Sequence, residues 1–167
     1  MSLTIQVLRE EHDKILQFVD SLRRRCICLM EDNEFDSVAF EAAIDFIKNF
    51  ADKRHHQKEE DILFKAMLEQ LGKIAENLIK YGMLVEHNMA RLYVMELEKA
   101  VNAYKKEPTA ENKLDIIGNA MSYCYLLERH ALKENEVVYP YAEKNLSKEV
   151  MDSLDVLTEA YEKNFHQ

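Results

Sequence analysis

One internal duplication constrains this chain more than any other feature. The segment "HHQKEEDILFK", starting at His55, aligns without a gap on "HALKENEVVYP", starting at His130, 75 residues later. The same shift puts His12 on His87, Glu11 on Glu86, Phe18 on Tyr93, Val19 on Val94 and Leu22 on Leu97. It also puts Arg54, Lys58 and Glu59 on Arg129, Lys133 and Glu134. A chain with this pattern is built from two copies of one helical hairpin. His56 and Glu60 fall on Ala131 and Asn135, so this second His–Glu pair has no symmetric mate.

The hairpins are helical by periodicity. Apolar residues recur at spacings of three and four through "IQVLREEHDKILQFVDSL" and "FEAAIDFIKNFADKRHHQKEEDILFKAM", the signature of long amphipathic helices. Breaks come at "EDNE", at "EQLGK" with Gly72, and at "KKEPTAEN", where Pro108 precedes Thr109, a suitable N-cap. With only 3 Gly and 2 Pro in 167 residues, little else interrupts helix. The expectation is an all-α, single-domain chain over residues 1–167. An up-down-up-down four-helix bundle would span about 3–141, with helices near 3–30, 36–69, 73–105 and 110–140. A shorter C-terminal helix would follow Pro140, from a Ser147 cap to about Phe165.

In such a bundle the histidines share one level. His12 and His55 are equidistant from the "EDNE" turn, His55 and His87 from a point beside Gly72, and His87 and His130 from a point beside Pro108. Because each helical residue rises about 1.5 Å, one imidazole from each of four helices arrives at the same height. Residues four apart differ by only about 40° around a helix, so Glu59 and Glu134 lie one turn from His55 and His130 on the same inward face.

Four imidazoles and two carboxylates without partners would cost several kcal/mol each to bury, and metal cations are their natural partners. Imidazole with carboxylate suits iron, manganese or zinc. Two shared carboxylates and two histidines per metal give about four protein ligands each, which leaves positions open to a small ligand. A redox-capable pair of this kind implies dioxygen, peroxide or nitric oxide chemistry.

Other functions fit poorly. A net charge of -9 without a clustered basic surface argues against nucleic acid. Charges in "MSLTIQVLREEHDK" argue against a signal peptide, and no run of about 20 apolar residues suggests a membrane span. Cys26, Cys28 and Cys124 form no CxxC pair, so a cytoplasmic protein is expected, with Cys26 a buried thiol on an apolar stripe with Val19 and Leu22.

The order His12, "HHQKEEDILF", "EHNMARLYV" and "HALKENEVVYP" resembles the hemerythrin-like, HHE cation-binding domains over roughly Leu3 to Tyr141. The resemblance implies a four-helix bundle with a non-haem di-iron centre. Its metal ligands would be His12, His55, His87 and His130, bridged by Glu59 and Glu134. Zinc or manganese could occupy the same cage in recombinant material. Such proteins are associated with binding or sensing dioxygen, with nitric oxide or peroxide responses, and with repair of iron centres. Oxygen-carrying hemerythrins have a further histidine one turn after the position of His87, where this chain has Arg91. That difference favours sensing, scavenging or iron-linked chemistry over bulk oxygen transport.

The remaining polar residues have plainer readings beside functional ones. His56 lies about 100° from His55 on a regular helix, which leaves it flanking the site, exposed, or a fifth ligand. Glu11, Glu60 and Glu86 read as solvated or helix-pairing acids, each also open to a hydrogen bond with a liganding imidazole. Arg54, Arg91 and Arg129 read as their salt-bridge partners. Tyr123, on the stripe of His130, reads as core or as a pocket border, and His166 as part of an inert tail. A ferritin-like oxidase needs Glu three residues before His, where Arg9, Asp52, Leu84 and Leu127 stand here. No HExxH string suggests a zinc hydrolase. The alternative of another class is a metal-free bundle for histidine phosphotransfer or protein interaction.

Overall fold

A computed structural model describes residues 2–165, which are helical apart from short connections. Among the described residues there are five helices: α1 (Leu3–Asp32), α2 (37–70), α3 (72–106), α4 (110–145) and α5 (Lys148–Lys163). Among the described residues there is no strand. Their boundaries follow from local chemistry. The side chains of Ser2, Asp36, Thr109 and Ser147 each accept a hydrogen bond from the backbone N–H three residues on, capping α1, α2, α4 and α5. Helix α1 stops at Asn33 in the left-handed conformation (φ 56°), which short polar side chains tolerate. The turn into α3 needs φ +63° at Gly72, a position that glycine adopts without steric cost.

Helices α2, α3 and α4 are not regular throughout. Their hydrogen bonding widens to π-helical turns over Ile47–His56, Glu59–Phe64, Ile79–Met83 and Glu134–Val138, where bonds reach five residues instead of four. The last of these corrects the expected end of the fourth helix. Helix α4 continues through Pro140 to Asn145, because the π-turn makes Asn135 the carbonyl that the missing Pro140 N–H would have engaged. The Arg9 guanidinium donates to that carbonyl at 2.7 Å, so the proline does not leave it without a donor.

The core divides into two apolar layers. One contains Ile15, Leu22, Phe40, Ile47, Leu97, Ile116 and Leu127; the other contains Ile5, Leu8, Leu63, Phe64, Met83, Val138 and Tyr139. Each fully buried aliphatic side chain contributes about 1.5–3 kcal/mol of transfer free energy, so the layers hold the helices at fixed depth. Between them runs a polar level containing His12, His55, His87 and His130. Helix α5 closes one side. Asp155 accepts from the N–H groups of Leu3 and Thr4, and Thr158 shares a 2.9 Å hydrogen bond with Thr4.

Candidate metal centre

All six residues singled out by the duplication meet in this polar level. His12, His55, Glu59, His87, His130 and Glu134 are each at most 2% exposed, and His56 joins them at 2%. Burial of His56 rules out the exposed alternative. A regular α-helix turns about 100° per residue, but the π-turn Ile47–His56 turns less, and both adjacent histidines are held inside.

The outer edge of each imidazole is held by an oxygen, and the holders repeat with the sequence. His55 Nδ1 lies 3.0 Å from Glu11, and His130 Nδ1 lies 2.8 Å from Glu86. Lys58 binds the same Glu11 at 2.6 Å, and its counterpart Lys133 binds Glu86. In the other pair, His87 Nδ1 lies 2.7 Å from Glu60 and His12 Nδ1 lies 3.1 Å from Asn135 Oδ1. Glu60 and Asn135 are themselves counterparts. Phe64 stacks on His87, and its counterpart Tyr139 stacks on His12.

These holders fix the tautomers. A carboxylate or amide oxygen can only accept, so each Nδ1 carries the proton and donates it. With Nδ1–H engaged outside, it is Nε2 of each ring that faces inwards. His87 Nε2 and His130 Nε2 face one another at 3.1 Å. His12 Nε2 and His130 Nε2 each lie 3.1 Å from Glu134 Oε2, while His55 Nε2 and His87 Nε2 each lie 3.5 Å from Glu59 Oε2. Glu134 thus stands between His12 and His130, and Glu59 between His55 and His87. Lone pairs and carboxylates facing each other repel unless a proton or a metal cation lies among them. His55 Nε2, Glu59 Oε2 and both Glu134 oxygens have no hydrogen-bond partner.

The metal-free charges follow the same geometry. Burial works against a charge on His12 and His87, but neighbouring carboxylates, Glu134 foremost, outweigh it; His12 is raised above the usual imidazole range and His87 well above it. Burial likewise opposes ionisation of Glu134, and His130, His12 and His87 overcome it to hold that carboxyl well below its usual range. His56 is pushed well below the imidazole range, first by burial and then by His87, His130 and His55. Burial, then Glu59 and Glu134, keeps Tyr139 protonated, well above the ordinary phenol range.

Several roles differ from the sequence expectation. Glu11 and Glu86 are not solvated acids; each grips a site imidazole, and Glu11 is itself buried. Glu60 does hold His87, and Arg91 binds Glu60 and Asp52, each at 2.8 Å. Arg54 and Lys58 tie Glu11 to Glu162 of α5. Tyr123 is fully buried and borders a cavity of about 10 Å³ with Asp52, His56 and Arg91. Cys26 is buried, and burial raises its thiol to about 11. His166 lies outside the described residues. Tyr139 was missed: its hydroxyl donates to Glu59 Oε1 at 2.6 Å and lies 3.4 Å from His12 Nε2. Its alignment on Phe64 was the available signal, since it marks an added hydroxyl at a position matched to buried apolar sequence.

The donor set fits a metal. Two cis ligands about 2.1 Å from an ion are about 3 Å apart, close to the 3.1 Å separations seen here. Ligand atoms of His12, His55, Glu59 and Glu134 lie within 4.8 Å of one another, as do those of Glu59, His87, His130 and Glu134. The cluster is able to hold a metal ion. A doubled helical hairpin that closes imidazoles and carboxylates into a dry cage defines a helical-bundle cation-binding domain. More particularly, the chain belongs to the hemerythrin family: the model of the Hemerythrin HHE cation binding domain matches residues 3–142. No curated protein matches it.

Proposed function

We propose that this chain is a non-haem di-iron protein that binds, senses or scavenges dioxygen or a related small ligand such as peroxide or nitric oxide, in an iron-linked stress response. The observation that carries the reading is the inward convergence of Nε2 lone pairs on two buried carboxylates, with every opposing Nδ1–H already engaged. Such an arrangement is repulsive unless protons or metal cations lie among these atoms. On this reading His12 and His55 would hold one ion and His87 and His130 the other, with Glu59 and Glu134 available to both.

Iron would supply redox activity and coordination positions for a small ligand. The protein's own contribution is orientation and dryness. Glu11, Glu60, Glu86 and Asn135 fix the rings, as outer partners of metal-bound histidines do, and the two apolar layers exclude water. Tyr139 places a hydroxyl donor beside Glu59 and His12. Three free cysteines and the absence of any helix long and apolar enough to cross a membrane among the described residues support a cytoplasmic setting. The phosphotransfer alternative needs an accessible histidine, whereas every histidine among the described residues is buried.

Anaerobic reconstitution with ferrous iron, followed by metal counting and absorption spectra before and after air, tests the reading. About two irons per chain and new near-ultraviolet charge-transfer absorption on oxygenation are expected. A protein that takes up no iron, or whose loaded spectrum ignores both air and nitric oxide, would refute it.

A further inference from the structure

The duplication makes the two halves of the site nearly equivalent, so the places where it fails define a difference between the two metal positions. Besides Glu60 against Asn135, which back His87 and His12, two failures touch the centre. At the first, His56 stands where the other half has Ala131. At the second, Tyr139 stands where the other half has Phe64. The two differences act on opposite sides of the cage.

His56 belongs to the His87–His130 side. Its ring stacks on His87 with centroids 4.0 Å apart and planes 17° apart, and meets His130 edge-on at 5.5 Å. One ring nitrogen from each of His56, His87 and His130 falls within a common 4.8 Å. Neither nitrogen of this buried ring has a hydrogen-bond partner. Nδ1 points to Asp52, 3.6 Å away, which repeats at longer range the carboxylate backing of the other imidazoles and leaves Nε2 for the inner side. Arg91 grips both Asp52 and Glu60, so one guanidinium steadies the acids behind His56 and His87 together.

The His12–His55 side has the opposite character. The counterpart of His56 there is the methyl group of Ala131, fully buried and without ligating ability. The counterpart of Phe64 is Tyr139, whose hydroxyl lies 3.4 Å from His12 Nε2. One side gains an imidazole; the other gains a hydrogen-bond donor.

We propose that His56 is a third imidazole ligand at the metal position of His87 and His130. This rests on the di-iron reading. It also gives Arg91 a role as a positioning residue.

The test uses the full chain loaded with Co(II), whose paramagnetism moves the N–H protons of bound imidazoles far outside the normal proton spectrum. Five solvent-exchangeable shifted N–H signals are expected, against four in His56→Ala. Chelator competition should show one of the two metals weakened by at least about tenfold in His56→Ala, the scale on which even outer partners of metal ligands act, with the other unchanged. Four signals in both proteins and unaltered affinities would overturn the role of His56 and leave the di-iron reading standing. His12→Ala and Glu59→Ala separate the two ideas, because full metal content in these variants would remove the di-iron reading and the proposal with it. His56→Asn, smaller but still polar, provides a second variant, with helical circular dichroism as the check on folding. If neither variant folds, the signal count of the unaltered protein decides.

Discussion

The Tyr139 hydroxyl donates a 2.6 Å hydrogen bond to Glu59 across 80 residues of sequence, while its ring stacks on His12. It ties the last turns of α4 to a carboxylate of α2 at the centre of the cage. Tyr139→Phe, which copies Phe64 of the other half, leaves the stacking in place and Glu59 Oε1 without its donor. The metal-free variant should lose about 1–3 kcal/mol, the cost of stranding a buried acceptor, and melt several degrees lower. An unchanged melting temperature in the metal-free state would show that this bond contributes nothing.

Glu11 and Glu86 make matching contacts in different surroundings. Glu11 faces the fully buried Lys58, whereas Lys133, beside Glu86, is 41% exposed. Removing one partner of a buried ion pair costs about 3–5 kcal/mol, and an exposed pair is worth about 1 kcal/mol or less. Urea unfolding should therefore rank Glu11→Ala well below Glu86→Ala in stability, although Glu162 still contacts Lys58. Both should weaken metal binding by about 10- to 100-fold, since each frees a liganding imidazole to rotate. Equal stabilities would contradict the buried-charge argument.

Acid should compete with the metal. In the metal-free protein the raised values of His12 and His87 mean that these rings hold protons near neutral pH, and bound metal must displace them. Affinity should rise with pH through those values and level off above them. Binding should release about two protons per chain near neutrality, measurable with a pH dye in weak buffer. Affinity that is flat between pH 5 and 8 would contradict this assignment.

Metal that binds the folded chain alone also stabilises it, by an amount that grows with the logarithm of free metal. A chelator should lower the melting temperature, and added ferrous or cobaltous ion should restore it. Replacing Glu59 and Glu134 together by Gln should abolish the restoration while preserving helical circular dichroism. Full restoration in that double variant would place the metal elsewhere.

How far the primary structure reaches is clear from particular residues. The spacing of His12, His55, His87 and His130 about three turns determines their common level, because helical rise is fixed by backbone geometry whatever the side chains do. The same arithmetic brought Glu59 and Glu134 to them, and the lack of glycine and proline secured the helices. The shift that pairs Glu60 with Asn135, and Phe64 with Tyr139, was equally present in the sequence.

What packing alone decided lies one step away from that arithmetic. Whether Glu11 meets solvent or His55 depends on how α1 rotates against α2, and local periodicity does not encode rotation to within one hydrogen bond. His56 turned inwards because α2 widens to a π-helical turn at the site, a departure from 100° per residue that arises only when neighbouring helices and the polar level must be satisfied together. Pro140 could continue a helix because Arg9, from another helix, supplied the donor for the freed carbonyl. Repetition in the chain set where the imidazoles stand, through fixed rise per residue; contacts between distant helices set which way each ring faces, through the requirement that buried polar atoms find partners.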